Sequence, residues 1–120
     1  MAVALSVSTR SADGCVVVTV SGDVDISTSP ELRSALVEAN AASDGPKAIV
    51  VDLSDVSFVD STALGVLVGA YNTSRNNGGR FAMVNDHDAV LKVLKITALH
   101  DVLGVHPTLD AAIEVVTRPV

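Results

Sequence analysis

The chain has 120 residues, which is enough for one compact domain with its own core and too few for two. Hydrophobic residues make up 48% of the chain and aromatic residues only 2%, so we expect a core of Val, Leu, Ile and Ala. A formal net charge of −6 gives the long-range field the wrong sign for nonspecific binding to nucleic acid or to anionic membranes, so we expect neither as a partner.

The cysteine content and the first ten residues indicate in which cellular compartment the protein is found. The single Cys15 cannot form an internal disulfide, which is typical of a protein made in a reducing compartment. Residues 1 to 10 lack the charged start and the apolar stretch of a secretory signal, and no segment approaches the roughly 20 apolar residues that span a bilayer. We therefore expect a cytoplasmic protein in which a single domain fills residues 1 to 120.

The chain begins with a predicted β-hairpin followed by a helix. Alternating apolar residues over 3 to 7 and a β-branched run over 15 to 20 predict two strands. Asp13 and Gly14 between them form a typical turn pair. Ser29 is predicted to cap the first helix, because a proline and then a glutamate follow it directly.

After this helix, strands and helices alternate along the rest of the chain. The predicted elements are strands over residues 48 to 53, 81 to 84 and 102 to 105, and helices over residues 61 to about 75, from a cap at Asp86, and over 108 to 116. The first of these strands is apolar almost throughout, which indicates burial on both faces. Alternation implies parallel strands, while the hairpin adds an antiparallel pair. We therefore predict an α/β fold with a mixed, mostly parallel sheet packed against helices.

Residues 57 to 68 carry most of the functional signal. They place Asp60, Ser61 and Thr62 at the predicted start of the second helix. Serine is common there for structural reasons alone. A phosphate on Ser61 would also meet the positive end of the helix dipole, which favours an anion by about 0.3 to 1 kcal/mol. Its charge of about −1.5 to −2 would oppose burial in an interface, so phosphorylation would leave the fold intact and change what the surface binds.

The second helix has more apolar surface than one buried face requires. One apolar face carries Leu64, Leu67, Val68 and Tyr71, and another carries Ala63, Val66 and Ala70. Gly65 and Gly69 each cost about 1 kcal/mol relative to alanine inside a helix, so something requires close approach there. We expect tight packing on the sheet, with docking of a partner as the alternative.

Acidic residues follow two of the predicted strands. Asp23 and Asp25 come after the second strand, and Asp52 and Asp55 after the third, so they gather at one edge if those strands are neighbours. Paired carboxylates can bind a metal ion, but solvated acids at strand ends are common, and we expect no metal site. The three histidines show no ligand spacing, and no phosphate-binding glycine loop or nucleophile elbow is present. The residues therefore give little support to nucleophilic hydrolysis, and we expect no cofactor.

Four stretches of the chain match a family pattern: residues 20 to 25, 50 to 56, 58 to 68 and 94 to 99. They resemble the anti-sigma factor antagonists, which are single-domain members of the STAS family. The resemblance implies a protein with no catalytic residue of its own. When unphosphorylated, such a protein binds an anti-sigma factor serine kinase and so frees a sigma factor. The kinase phosphorylates the serine that matches Ser61, and the phosphorylated form dissociates. Thr62 also carries a hydroxyl at this helix end and is the less favoured alternative acceptor. A metal-dependent serine phosphatase then resets the protein.

The resemblance also implies which residues bind the partner. These are Asp23, Asp25, Asp60, Ser61, Thr62, Leu64 and Gly65. The chain departs from the family at Ala63, because a glycine usually follows the Ser-Ser or Ser-Thr pair. Alanine suits an ordinary first helical turn.

Two other interpretations are open at this stage. One keeps the STAS fold but makes the protein a scaffold or ligand-sensing module that is never phosphorylated, which Ala63 permits. The other is a receiver domain phosphorylated on Asp52. A receiver begins with a strand that leads to a helix, and it needs a lysine after its last strand, where this chain has His106 and Pro107. We therefore favour the antagonist.

Overall fold

The computed structural model describes residues 5–12, 14–41 and 48–118. In chain order, the elements are β1 (Ser6–Ala12), β2 (Cys15–Ser21), α1 (Ser29–Ala41), β3 (Ala48–Asp55), α2 (Ser61–Asn76), β4 (Arg80–Val84), α3 (Asp88–Ile96), α4 (His100–Leu103), β5 (Val105–His106) and α5 (Leu109–Thr117). Asp13 of the predicted turn, and residues 3 and 4 of the first predicted strand, lie outside the described residues.

The five strands form one sheet in the order β1-β2-β3-β4-β5. β1 and β2 pair antiparallel, and the remaining neighbours pair parallel. The hairpin closes with Ala12 opposite Cys15, and Gly14 between them has a φ of 86°, a conformation that glycine adopts without strain. The predicted mixed, mostly parallel sheet is therefore confirmed.

The alternation of side chains along each strand divides the core into two layers. On one face Val18, Val51 and Met83 pack with residues of α1, α2, α3 and α4. On the other face Val17 and Val50 pack with residues of α5. Each fully buried side chain of this size contributes about 1.5 to 3 kcal/mol. β3 is buried on both faces, as its apolar sequence predicts.

One predicted strand is wrong. Val102 and Leu103 were expected in a strand over residues 102 to 105, but they belong to α4, and β5 is Val105–His106. Gly104 separates the two elements, because its left-handed backbone (φ 68°) ends the helical turn and its N–H bonds to the carbonyl of His100. A helix of four residues is too short to produce a periodic pattern in the sequence.

Two predicted helix caps also differ from the structure. α1 begins at Ser29 itself, whose backbone N–H donates to the carbonyl of Asp25 at 2.8 Å, so Ser29 is a helical residue rather than the cap. The residue before α3 is His87 rather than Asp86, and it makes no side-chain cap hydrogen bond. Instead its own N–H donates to the side-chain oxygen of Asn85 at 2.8 Å.

Within residues 5–12, 14–41 and 48–118, no helix combines the length and the hydropathy that crossing a membrane requires.

Candidate functional site

Two loops meet where β2 and β3 end. Val24 and Val59 form an isolated parallel bridge, and the N–H of Val24 donates to the carbonyl of Phe58 at 3.2 Å. The N–H of Asp60 in turn donates to the carbonyl of Val24 at 3.2 Å. The segment after β3 is thereby attached along the segment after β2, which brings the start of α2 beside residues 23–28.

Asp60 caps α2 and joins the two loops with one side chain. Its Oδ1 accepts from the N–H of Ala63 at 2.9 Å, and its Oδ2 accepts from the N–H of Ile26 at 3.0 Å. An aspartate in this position satisfies an N–H that the helix leaves without an internal partner. The predicted helix start at Ser61 is confirmed. Ala63, the departure from the family pattern, is fully buried and fits this first turn with an ordinary helical backbone.

Ser61 is the first residue of α2 and is exposed. Within the described part of the chain its hydroxyl makes no hydrogen bond, since Asp60 supplies the cap. The side chain is therefore open to solvent at the positive end of a helix of 16 residues. Thr62 is exposed as well, and so is Gly65 one turn later. Leu64 differs from these, because it is only 8% exposed and packs in the core beneath this surface.

Asp25 organises the loop that Asp60 holds. Its Oδ1 accepts from the hydroxyl and the backbone N–H of Ser27 and from the N–H of Thr28. The Thr28 hydroxyl donates to the carbonyl of Asp23 at 2.8 Å, which closes the loop further. The hydrogen bond from the Ser27 hydroxyl lowers the pKa of Asp25 below its ordinary value, and the backbone bonds from Ser27 and Thr28 add to this effect. The ionised Asp25 carboxylate thus holds the loop together by accepting these hydrogen bonds, while it remains partly exposed to solvent.

Two exposed apolar residues belong to this site and were not singled out from the sequence. Ile26 is 73% exposed and Phe58 is 50% exposed. Both lie in the segments that hydrogen bonds attach to Asp60 and Val24. In the sequence, the signal for such residues is a large apolar side chain in a loop, where it is not part of the core. That the two loops meet depends on long-range contacts, which the sequence pattern does not show. Ile26 and Phe58 therefore expose apolar surface on the two loops that meet at Asp60, the residue before Ser61.

Comparison with known proteins identifies the fold family. A family model described as STAS domain matches residues 6–112. The chain belongs to the STAS domain family. Anti-sigma-B factor antagonists resemble it over most of its length: that of Staphylococcus aureus (strain NCTC 8325 / PS 47) is 32% identical over 85% of this chain and 93% of its own length. That of Bacillus subtilis (strain 168) is 27% identical over 92% of this chain and 98% of its own.

A solved structure agrees with this assignment. The crystal structure of an anti-sigma factor antagonist from Mycobacterium paratuberculosis is 33% identical to this STAS domain, with a TM-score of 0.85 over 94% of each chain. The sheet order also separates the STAS domain from receivers, whose doubly wound sheets have the order 2-1-3-4-5. Asp52, the acceptor in the receiver interpretation, is only 9% exposed, and its Oδ1 accepts from the hydroxyl and N–H of Ser54.

β2 and β3 are neighbours, as the expected gathering of acids requires, with Ser21 opposite Asp55 in the register. Asp23 and Asp25 follow β2, but Asp52 and Asp55 belong to β3 itself, because this strand extends to residue 55 rather than 53. Asp55 is exposed, whereas Asp52 bonds to Ser54 within its own strand. Among the residues that the structure of the STAS domain describes, no three His, Cys, Asp or Glu side chains are placed together to hold a metal ion.

A groove of about 690 Å³ runs between α1 and α2 of the STAS domain. Its lining residues are Arg33, Leu36, Val37, Asn40, Ala41, Thr62, Gly65, Val66, Gly69, Ala70, Thr73 and Asn77. The expected packing of Gly65 and Gly69 on the sheet is wrong, because both are exposed and a Cβ on either would meet nothing within 4 Å. α2 buries Ala63, Leu67 and Ser74 instead, which turns the glycines towards the groove.

Proposed function

We propose that this protein is an anti-sigma factor antagonist whose binding surface is switched by phosphorylation of Ser61. The unphosphorylated protein binds a kinase-type anti-sigma factor in the cytoplasm and thereby releases a sigma factor. The kinase then phosphorylates Ser61, and the complex dissociates. A metal-dependent serine phosphatase later removes the phosphate and restores binding. The protein itself supplies a surface and no catalytic group. The curated relatives, which are anti-sigma-B factor antagonists, support the antagonist role.

The observation that carries the proposal is the exposed Ser61 beside an Asp60 whose two oxygens are already engaged. A protein kinase needs access to the hydroxyl, and nothing in the described residues covers it or bonds to it. Because Asp60 caps the helix, the Ser61 side chain has no structural task that modification would disrupt.

A phosphate at this position is compatible with the fold. It would lie at the positive end of α2, where the dipole favours an anion by about 0.3 to 1 kcal/mol. That gain opposes the repulsion from the Asp60 carboxylate, whose charge two backbone N–H groups already stabilise. Phosphorylation therefore leaves the domain folded.

The same phosphate is incompatible with a docked partner. Ile26 and Phe58 supply apolar contact surface near Ser61, and burying a dianion beside them would remove it from water. A carboxylate of the partner about 5 Å away would, at an effective dielectric constant of about 20, be repelled by about 3 kcal/mol for each added charge. That energy corresponds to more than about a hundredfold in affinity. Asp23, Asp25, Thr62 and Gly65 complete the proposed surface.

The proposal is tested with the kinase-type anti-sigma factors encoded in the same genome. Each is incubated with this protein and ATP, and the modified residue is mapped by mass spectrometry. We expect one of them to modify Ser61. Ser61→Ala should bind that kinase without being modified, and Ser61→Glu should bind it poorly.

Matched variants separate this switch from its alternatives. Thr62→Val removes the neighbouring hydroxyl and should still be modified on Ser61. Tight binding of Ser61→Glu, equal to that of the unmodified protein, would rule out the switch. Failure of every kinase to modify Ser61 would favour the STAS module that acts as a scaffold or ligand sensor.

A further inference from the structure

The groove between α1 and α2 has the length and the lining of a helix-binding site. On the α2 side its lining residues extend from Thr62, in the first turn, to Asn77, the residue that follows the helix, which is about 22 Å at 1.5 Å per residue. The buried Leu36 and Ala70 and the half-buried Val66 line it, and Val37 on α1 is 58% exposed. An apolar channel of this length matches one face of a helix of about 15 residues.

Gly65 and Gly69 leave the α2 side of the groove without side chains at two positions. They are one turn apart on α2, and neither has the positive φ that would require glycine. Alanine would fit at both positions, because a Cβ would meet nothing within 4 Å, and it would favour the helix. The fold of this chain therefore gives no reason for the two glycines. A second helix that packs across them can approach α2 more closely than side chains would allow.

The groove differs in charge from the rest of the chain. The sequence has 14 acidic residues and 8 lysines and arginines. Yet among the described residues that line the groove, Arg33 is the one with an ionisable side chain, and none is an acid. Within the described ranges Arg33 makes no ion pair. Guanidinium groups pair preferentially with carboxylates, often through two parallel hydrogen bonds.

Arg33 lies at the same end of the groove as the proposed switch. α1 and α2 both connect neighbouring parallel strands of one sheet, so they run in the same direction. Arg33 is near the start of α1, and Thr62 is near the start of α2. Thr62 lines the groove and follows Ser61 directly in the chain. An acid paired with Arg33 would therefore lie close to a phosphate on Ser61.

We infer that this groove receives a helix of the kinase-type anti-sigma factor, with an aspartate or glutamate of that helix paired with Arg33. The inference rests on the proposed function, because it assigns a second contact to the same partner. It also gives the phosphate on Ser61 a defined target. The phosphate would repel the acid of the helix and offer Arg33 another anion, so modification at the end of the groove would weaken binding along it.

The experiment measures the dissociation constant of the anti-sigma factor that modifies Ser61, by calorimetry, for variants of the full chain. Gly69→Leu fills the groove, and Arg33→Glu reverses its charge. Each should weaken binding about tenfold or more, while Arg33→Lys should keep most of the affinity. Circular dichroism and the rate of Ser61 phosphorylation at saturating kinase show that each variant is folded.

Two matched controls lie outside the groove. Asn72→Leu places the same side chain on an exposed position of α2, and Arg10→Glu makes the same charge change on β1. Both should bind within about twofold of the unmodified protein. A photocrosslinking residue at position 77 should attach to a helical segment of the anti-sigma factor that contains an acid.

The outcomes distinguish this inference from the proposed function. If Ser61→Glu abolishes binding while Gly69→Leu and Arg33→Glu bind normally, the groove inference is wrong and the switch stands. Crosslinks from position 77 to a second copy of this chain, or to a non-helical segment, would also overturn it. If no anti-sigma factor binds the unphosphorylated protein, both proposals fail together.

Discussion

The carboxylate of Asp60 accepts a hydrogen bond from the backbone of Ile26 at 3.0 Å, although 34 positions separate the two residues. The other carboxylate oxygen caps α2 through the N–H of Ala63. One side chain thus holds the loop after β2 against the start of α2. Ser61, which follows it, is left outside this network and open to solvent.

Replacing Asp60 tests its structural task. Asp60→Ala removes the helix cap and the bond to Ile26, and we expect the free energy of unfolding to fall by about 1 to 3 kcal/mol. Urea denaturation measures the loss. Asp60→Asn keeps one acceptor oxygen, so its free energy of unfolding should lie between those of Asp60→Ala and the unmodified protein. Ser61→Ala should change stability by less than about 0.5 kcal/mol, and a larger effect would mean that Ser61 supports the fold.

The end of α3 offers a stabilising substitution. Ala98 has a φ of 61°, and its N–H donates to the carbonyl of Lys95, while the N–H of Leu99 donates to that of Leu94. These two bonds form a Schellman motif, in which glycine is the usual residue at the left-handed position. Ala98→Gly should therefore raise the free energy of unfolding by about 0.5 to 1 kcal/mol. Ala89→Gly, on a right-handed exposed position of α3, should lower it.

A second stabilising substitution lies in the groove. Gly69→Ala adds a Cβ where nothing lies within 4 Å, so the higher helix propensity of alanine stabilises α2 without a steric clash. We expect a gain of about 0.5 to 1 kcal/mol, which thermal unfolding followed by circular dichroism can measure. Weaker binding of the anti-sigma factor by this more stable variant would show why glycine is present. A loss of stability would mean that α2 packs more tightly there than the structure shows.

Acidification should weaken the loop that contains Asp25. The Ser27 hydroxyl lowers the pKa of Asp25 in the folded protein, so the ionised carboxylate stabilises the fold above its unfolded pKa of about 3.8. This contribution is lost as the pH falls through the lower folded pKa. Between about pH 5 and pH 3 the melting temperature of Asp25→Asn should fall less than that of the unmodified protein. Ser27→Ala should flatten the profile in the same way, and parallel profiles would contradict this explanation.

Local patterns were sufficient to predict much of this fold. The apolar run of β3 indicated burial on both faces, and Asp60 followed by Ser61 marked the start of α2; both hold in the structure. These features depend on neighbours in sequence. Even the end of α3 follows from short-range hydrogen bonds, although alanine rather than glycine hides it from inspection of the sequence.

Features that depend on distant contacts could not be predicted in this way. The bond from Ile26 to Asp60 joins two loops, so no local pattern shows that the loops carrying Ile26 and Phe58 meet beside the start of α2. The glycines of α2 were expected on the sheet, because only the position of α1 shows that they line a groove. α4 has only four residues, too few to show a helical period, and for this reason Leu103 was predicted to lie in a strand.

The central claim is that a charge on Ser61 blocks a partner without unfolding the domain. The most direct measurement compares protein carrying phosphoserine at position 61, installed during synthesis, with the unmodified protein. Denaturation should give free energies of unfolding within about 1 kcal/mol of each other. Calorimetry should show that phosphorylation weakens binding of the anti-sigma factor by about a hundredfold or more. Equal affinity of the two forms, with both folded, would contradict the account.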